Sequence, residues 1–309
     1  TRLVSDWSSD VCSSDLIEAP TPVSALIHAA TMVNAGVYLL ARFYPAFAGV
    51  PDWTGAVMLI GLLSALLAAV MALTATDLKR VLAYSTISQL GFMVYAVGTG
   101  GVFASQYHLL SHAVFKALLF LGAGAVIHAI GTRDLLLMGG LGKRMPVIRA
   151  TFGFGILALA GIPIMNGFWS KELILEGSLH GAPVWMSAVM FAVAGLTALY
   201  SVRLMMLVFY GKPRAELHPH DAGSAMRVAL VVLTVGALTT WLLALPFAQL
   251  MHDTLPLHGV EVHGDLFAEI LSAPMTWLAL GIVAVGAAIW PLRRPVPARG
   301  SAWWCRPSC

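Results

Sequence analysis

From about residue 22 to residue 292 the chain alternates long apolar runs with short polar breaks. Runs of about 18 residues or more have the length of a membrane-crossing helix. Eight fit that length, at roughly 22–44, 54–75, 77–97, 102–130, 150–180, 184–210, 225–248 and 275–292. The pattern predicts an all-α, polytopic membrane protein of about eight transmembrane helices. Because the connections are short, neighbours in sequence should pack as antiparallel neighbours in space.

The fifth run is too long for one straight helix. It has about 31 residues, ~46 Å at 1.5 Å per residue, against a hydrocarbon core of ~30 Å. Gly161 and Pro163 fall mid-way, and Asn166 and Gly167 follow. Proline removes a backbone donor and clashes with the preceding turn. A broken helix is therefore expected, its first half ending near Ile162 and its second beginning near Gly167. Broken helices at membrane depth tend to mark transport sites, since the freed backbone groups need protein or water around them. Lys171 and Glu172 come just after the break; the plainer alternative makes them the interfacial end of an ordinary span.

The fourth run carries the strongest polar signal. His108, His112 and Lys116 stand at i, i+4 and i+8 on an otherwise apolar helix, so they share one face. A lysine inside a hydrocarbon span costs about 2.5–3.5 kcal/mol or more unless it faces protein or water. Lys116 is too far from either end to snorkel easily. This stripe points to proton or ion handling; the alternative is a satisfied histidine pair beside a structural lysine. Weaker candidates are His28 with Thr31 one turn on, the polar set Ser85, Ser88 and Gln89, and Lys79 near the start of the third run. For each, a bland role remains open: a hydroxyl-bonded core histidine, serines bonded to their own backbone, a topology-setting cation. Asp77 suits a helix N-terminus, and Arg203 is placed to snorkel. His218, His220 and Asp221, with His252, His258 and His263, match no tight metal spacing, so no metal site is assigned.

Charge then orients the chain. Lys79, Arg80, Arg133, Lys143, Arg144, Arg149, Lys212, Arg214, Arg227, Arg293 and Arg294 all fall on one set of connections. The alternate connections, about 45–53, 98–101, 173–183 and 249–274, hold no Lys or Arg. This bias predicts that the first span starts, and the eighth ends, on the cytoplasmic side of the membrane. Composition agrees with membrane residence: 59% of the 309 residues are hydrophobic and 11% charged, where a soluble domain carries about 25% charged. A net charge of +3 gives no reason to expect nucleic acid. Cys12, Cys305 and Cys309 offer neither a disulfide framework nor a haem or iron–sulfur spacing. Gly140, Gly142 and Lys143 fail the phosphate-loop pattern, with Arg144 where Ser or Thr should follow. No redox cofactor is expected in this chain.

The ends differ from the body. Ser5–Leu16 reads SDWSSDVCSSDL, has no signal-peptide pattern, and resembles the in-frame translation of a sequencing-library adapter. Residues 1–16 are therefore expected to be foreign, the tail 295–309 is doubtful, and the whole is expected to be part of a longer protein.

Four blocks carry a family resemblance: PTPVSALIHAATMVNAGVYLLAR (20–42), TDLKRVLAYSTISQLGFM (76–93), HLLSHAVFKALLFLGAG (108–124) and LALAGIPIMNGFWSKELIL (157–175). In this order they resemble the L-type antiporter-like subunit of bacterial NADH:quinone oxidoreductase, respiratory complex I. The wider family includes large subunits of multisubunit sodium/proton antiporters and of membrane-bound hydrogenase complexes. The resemblance implies two inverted five-helix repeats, each with a broken helix. Residues 17–53 would close the first repeat, 54–212 would form the second with its break inside 150–180, and 213–294 would add two helices. It also implies that Lys116 is the central-axis lysine, His108 and His112 its companions, Lys171 with Glu172 the broken-helix pair, His28 the histidine of the preceding repeat, and Lys79 the lysine opening the third block. Two positions depart from the pattern: Ile164 stands where a small residue or proline is common, and Asn34 where antiporter-type members often carry lysine. The implied function is proton translocation driven by redox chemistry elsewhere, with NADH, flavin, iron–sulfur clusters and quinone in partner subunits, including a neighbouring antiporter-like subunit. A sodium/proton antiporter subunit, or a scaffold whose polar residues only join helices, remain the alternatives.

Overall fold

The computed structural model describes residue 27 and residues 31–211, 223–254 and 266–292. The helices are α1 (Met32–Phe47), α2 (Pro51–Thr74), α3 (Leu78–Gly98), α4 (Val102–Ile130), α5 (Pro146–Ala160), α6 (Asn166–Gly181), α7 (Val184–Phe209), α8 (Ser224–Thr239), α9 (Ala244–Thr254), α10 (Leu266–Ser272) and α11 (Pro274–Leu292). Among the described residues there is no named strand, only an isolated bridge between Asp77 and Asp134.

Five segments are long and apolar enough to cross a membrane: residues 52–74, Leu78–Gly98, Val102–Ile130, Val184–Phe209 and Ser224–Met251. The other three expected runs correspond to shorter helices. Of the first, residue 27 and the residues from 31 on are described. The fifth is divided into α5 and α6, of 15 and 16 residues. The last contributes the apolar stretch Thr276–Ile289. The seventh run, expected as one helix over 225–248, is interrupted by a 3₁₀ turn at Thr240–Leu243. Two local causes meet there. Thr239 and Thr240 turn their hydroxyls back onto the carbonyls of Val235 and Gly236, and Pro246 is tolerated only in the first turn of a new helix.

Helix ends follow local chemistry. Asp77 caps α3, its carboxylate accepting from the Arg80 amide at 2.9 Å. Proline opens α2 and α5, where the missing donor costs nothing. The chain leaving α4 turns through Gly131 at φ 71° and returns to the start of α3, where Leu78 N donates to Arg133 O and Leu135 N to Thr76 O.

α4 lies at the centre, packed by α1, α3, α5, α6 and α8, which is why it is apolar nearly all round apart from one stripe. The α2–α3 pair is drawn close by small residues: a Cβ on Gly91 would lie 2.5 Å from Ala65 N. α2 turns Leu59, Ile60, Leu63, Leu67, Val70 and Met71 outward, the face expected of a helix against lipid. α7 meets α11 in the same close manner, where a Cβ on Gly286 would fall 2.2 Å from Gly195 O.

The interruption between α5 and α6 spans Gly161–Met165. Gly161 takes the left-handed conformation (φ 80°) that ends α5. Ile164 is also left-handed, at φ 81°, a strained state for a β-branched residue. Gly167 lies where α6 passes against α5, and any Cβ there would fall 2.0 Å from Ala158 O. Pro163 sits between the two left-handed residues. The break therefore needs glycine for two separate reasons, handedness at 161 and contact at 167.

Candidate functional site: a buried polar axis along the central helix

Lys116 is fully buried at mid-length of α4. Its Nζ donates to Leu82 O at 3.2 Å and to the Ser85 hydroxyl. Ser85 in turn donates to Leu82 O at 2.7 Å. A lysine removed from water demands partners of this kind, because an unpaired buried charge is very costly. Lys79, also buried, lies one turn before Leu82 on α3.

One turn along α4 from Lys116, the His112 ring packs edge-on against Phe115 at 5.4 Å. It lies 6.5 Å from the His108 ring, centroid to centroid. Neither His112 nitrogen has a hydrogen-bond partner, although the residue is wholly buried. His108 is held on both sides: Nδ1 lies 2.8 Å from the Ser170 hydroxyl of α6, and Nε2 lies 3.2 Å from Gln89 Oε1 of α3. Ser170 also reaches Asn166 O at 3.1 Å, and Asn166 Nδ2 donates to Ser111 O of α4 at 3.2 Å. The second half-helix is thus stitched to the central helix beside the histidines.

Lys171 completes the axis. It is 2% exposed, and its Nζ donates to Leu159 O at 2.8 Å. That carbonyl belongs to the last turn of α5, where the helix dipole favours a cation. The ammonium also sits 5.5 Å from the Phe92 ring centroid, a cation–π distance. Glu172 supplies the opposing charge, with Glu176 one turn further along α6. The chemistry on offer is a row of buried groups able to take up and release protons, with a break in the neighbouring helix at the same level.

Not every expected residue joins this row. Ser85 and Gln89 face α4, but Ser88 turns away and donates to Ala65 O of α2 at 3.0 Å. Positions 85 and 89 are one turn apart, whereas 88 lies on the flank, so the three do not share a lining. Thr31 is exposed at the start of α1. His28 lies outside the described residues, as do His218, His220, Asp221, His258 and His263. Among the described residues no three His, Cys, Asp or Glu side chains form a group able to hold a metal. Sequence reasoning missed Ser170 and the role of Asn166, which it named only as following the break. The i, i+4 pairing of Asn166 with Ser170, directly before Lys171, was the available signal. A second hydroxyl cluster, also missed, joins α3, α6 and α7: Tyr95 OH lies 2.6 Å from Ser178 Oγ, which donates to Ser187 Oγ at 2.8 Å. Ser187 closes that chain on the Ser178 carbonyl, so this cluster is a clamp with no free end.

Residues 3–197 match the family model described as NADH:quinone oxidoreductase/Mrp antiporter, transmembrane. The chain belongs to that family. The match starts within the segment read above as foreign. The chain is similar to NADH-quinone oxidoreductase subunit L of Mycobacterium tuberculosis, 42% identical over 93% of this chain and 48% of the relative. It is also similar to NAD(P)H-quinone oxidoreductase chain 5 of a Picosynechococcus species, 40% identical over 89% of this chain and 46% of the relative. It therefore spans about half the length of these relatives. Among solved structures it resembles a chain of the Mrp complex of a Dietzia species, with TM-score 0.74 and 30% identity over 93% of this chain and 33% of that one. A chain of the archaeal membrane-bound sulfane sulfur reductase matches with TM-score 0.69 and 26% identity, over 87% of this chain and 52% of that one. The polar axis around Lys116 thus sits in a multi-pass membrane fold similar to that of chains in these two complexes.

Proposed function

We propose that this chain is part of a proton-translocating membrane subunit of an NADH:quinone oxidoreductase, moving protons along the Lys116–His112–His108 stripe towards Lys171 and Glu172. The observation that carries the proposal is the burial of this stripe across the middle of the fold, beside the α5–α6 break. Buried ionisable groups in a membrane interior are expensive, and a proton or ion path is their usual reason. Several polar atoms along the stripe, including both His112 nitrogens, Ser111 Oγ and Asn166 Oδ1, have no protein partner. Polar settings of that kind are ordinarily served by internal water, which also conducts protons between rings 6.5 Å apart.

The driving reaction is assigned to other subunits carrying NADH, flavin, iron–sulfur clusters and quinone, with a neighbouring antiporter-like subunit as partner in a bacterial inner membrane. Protons would leave on the side whose connections hold no Lys or Arg. Replacing Lys116 with alanine in the parent complex should cut proton pumping sharply while the complex still assembles. An unchanged proton-to-electron ratio and rate would rule the proposal out. The resemblance to the Mrp complex keeps a second reading in play, an antiporter subunit. Sodium-dependent proton exchange in everted vesicles would favour it, and sodium-independent transport would favour the first.

A further inference from the structure

The hydrogen bonds around His108 have a direction that can be worked out from the chemistry of their partners. On one side of the ring stands Gln89 Oε1, 3.2 Å from Nε2. A carbonyl oxygen only accepts, so Nε2 must carry a hydrogen. A proton that comes and goes on this ring is therefore carried at Nδ1. There the polar partner is the Ser170 hydroxyl, at 2.8 Å. That hydroxyl has a single hydrogen and a choice among the bare Nδ1, the Asn166 carbonyl at 3.1 Å and the more distant Gly167 carbonyl at 3.5 Å.

We propose that Ser170 is a positioning residue for proton transfer at His108, its hydroxyl turning between the ring and the Asn166 carbonyl as Nδ1 loses and gains a proton. When the ring is neutral, Ser170 O–H donates to Nδ1. When the ring is cationic, Nδ1–H donates to Ser170 Oγ and the Ser170 hydrogen moves to Asn166 O. Only the histidine changes its proton count, by one; the serine gains and loses none. This inference rests on the proton-path reading and adds to it. It ties the charge of α4 to the first turn of α6, because Asn166 begins α6 and also donates to Ser111 O of α4. The titratable groups beside His108 are His112 on α4 and Lys171 on α6. Among the described residues neither is hydrogen-bonded to Nδ1, which leaves the serine to answer its charge. Across the ring, Gln89 also faces Tyr200 of α7, and its amide nitrogen has no partner.

The rival arrangement turns the Gln89 amide over, so that its N–H meets Nε2. His108 would then hold a permanent hydrogen on Nδ1, and Ser170 would have nothing to answer. Nitrogen-15 NMR of the full chain in lipid bilayers, with labelled histidine and His108→Gln to assign the signal, distinguishes the two. The proposal requires a neutral His108 protonated at Nε2; a neutral ring protonated at Nδ1 overturns it. Transport in the parent complex gives the second readout. Losing a hydrogen bond to a charged group slows transfer by about tenfold or more. Ser170→Ala should show that loss at wild-type assembly, and Ser170→Thr, which keeps the hydroxyl, should stay within about twofold of wild type. Equal loss in both variants, or none in Ser170→Ala, overturns the proposal. His108→Ala separates the two levels. If it transports normally, the proton path itself is wrong; if it is inactive while Ser170→Ala is normal, only the serine's role fails.

Discussion

Gly167→Ala puts the break between α5 and α6 to a quantitative test. The added Cβ would lie 2.0 Å from Ala158 O and 2.8 Å from Ala158 C. Both atoms are backbone, so no side chain can move aside. Restoring an ordinary contact of about 3.2 Å requires α6 to back away from α5 by about 1.2 Å. Overpacking of this kind costs about 1–3 kcal/mol. The same displacement stretches the Lys171–Leu159 hydrogen bond, 2.8 Å long and made across the same α5–α6 contact, to a length at which it does not hold. Stability should fall by that amount, and proton transport should fall further than stability alone explains. Gly177→Ala, on the same helix with nothing within 4 Å, is the control. It should be neutral or stabilising by about 0.5–1 kcal/mol. Denaturation of the chain in detergent, read by near-ultraviolet circular dichroism, measures the first effect, and vesicle acidification measures the second. A Gly167→Ala protein as stable and as active as Gly177→Ala would refute the close approach at the break.

Other consequences are read in the same assays. Ile164→Gly removes a left-handed β-branched residue that is 68% exposed and should stabilise the chain by about 1 kcal/mol; a loss of stability would mean that the turn differs. Gly91→Ala should push α2 from α3 and destabilise by about 1–3 kcal/mol, and an unaltered melting point would contradict the 2.5 Å approach to Ala65. Ser85→Ala should impair transport because it removes a partner of Lys116, while Ser88→Ala, which only loses a bond to α2, should leave transport near wild type; the reverse order would misassign the face of α3.

Much of this architecture could be read from residue spacing. His108, His112 and Lys116 had to share a face, and Gly161 with Pro163 had to interrupt the fifth run. The count of spans was less legible. A mean hydropathy of +0.82 says that helices are apolar, not where one stops crossing. Thr239, Thr240 and Pro246 are ordinary in a membrane helix, and only their coincidence at one level ends α8 early. The lining of the axis was legible only in part. Ser85, Ser88 and Gln89 look alike in sequence, and it takes the tight α2–α3 crossing to show that Ser88 is buried against α2 and not along the axis. Ser170 was hidden beside Lys171: the i, i+4 pairing with Asn166 was visible, but its importance depends on α6 meeting α4.

The buried lysines are proposed to carry protons instead of merely joining helices. That role is tested most directly by the proton-to-electron ratio of the parent complex bearing Lys116→Ala and Lys171→Ala together, with assembly verified by co-purification of the partner subunits. Proton carriage by these lysines should leave the electron-transfer components intact and reduce proton pumping through this subunit to background. Pumping at the wild-type ratio in the assembled double variant would contradict it and would leave the polar axis a structural feature of the bundle.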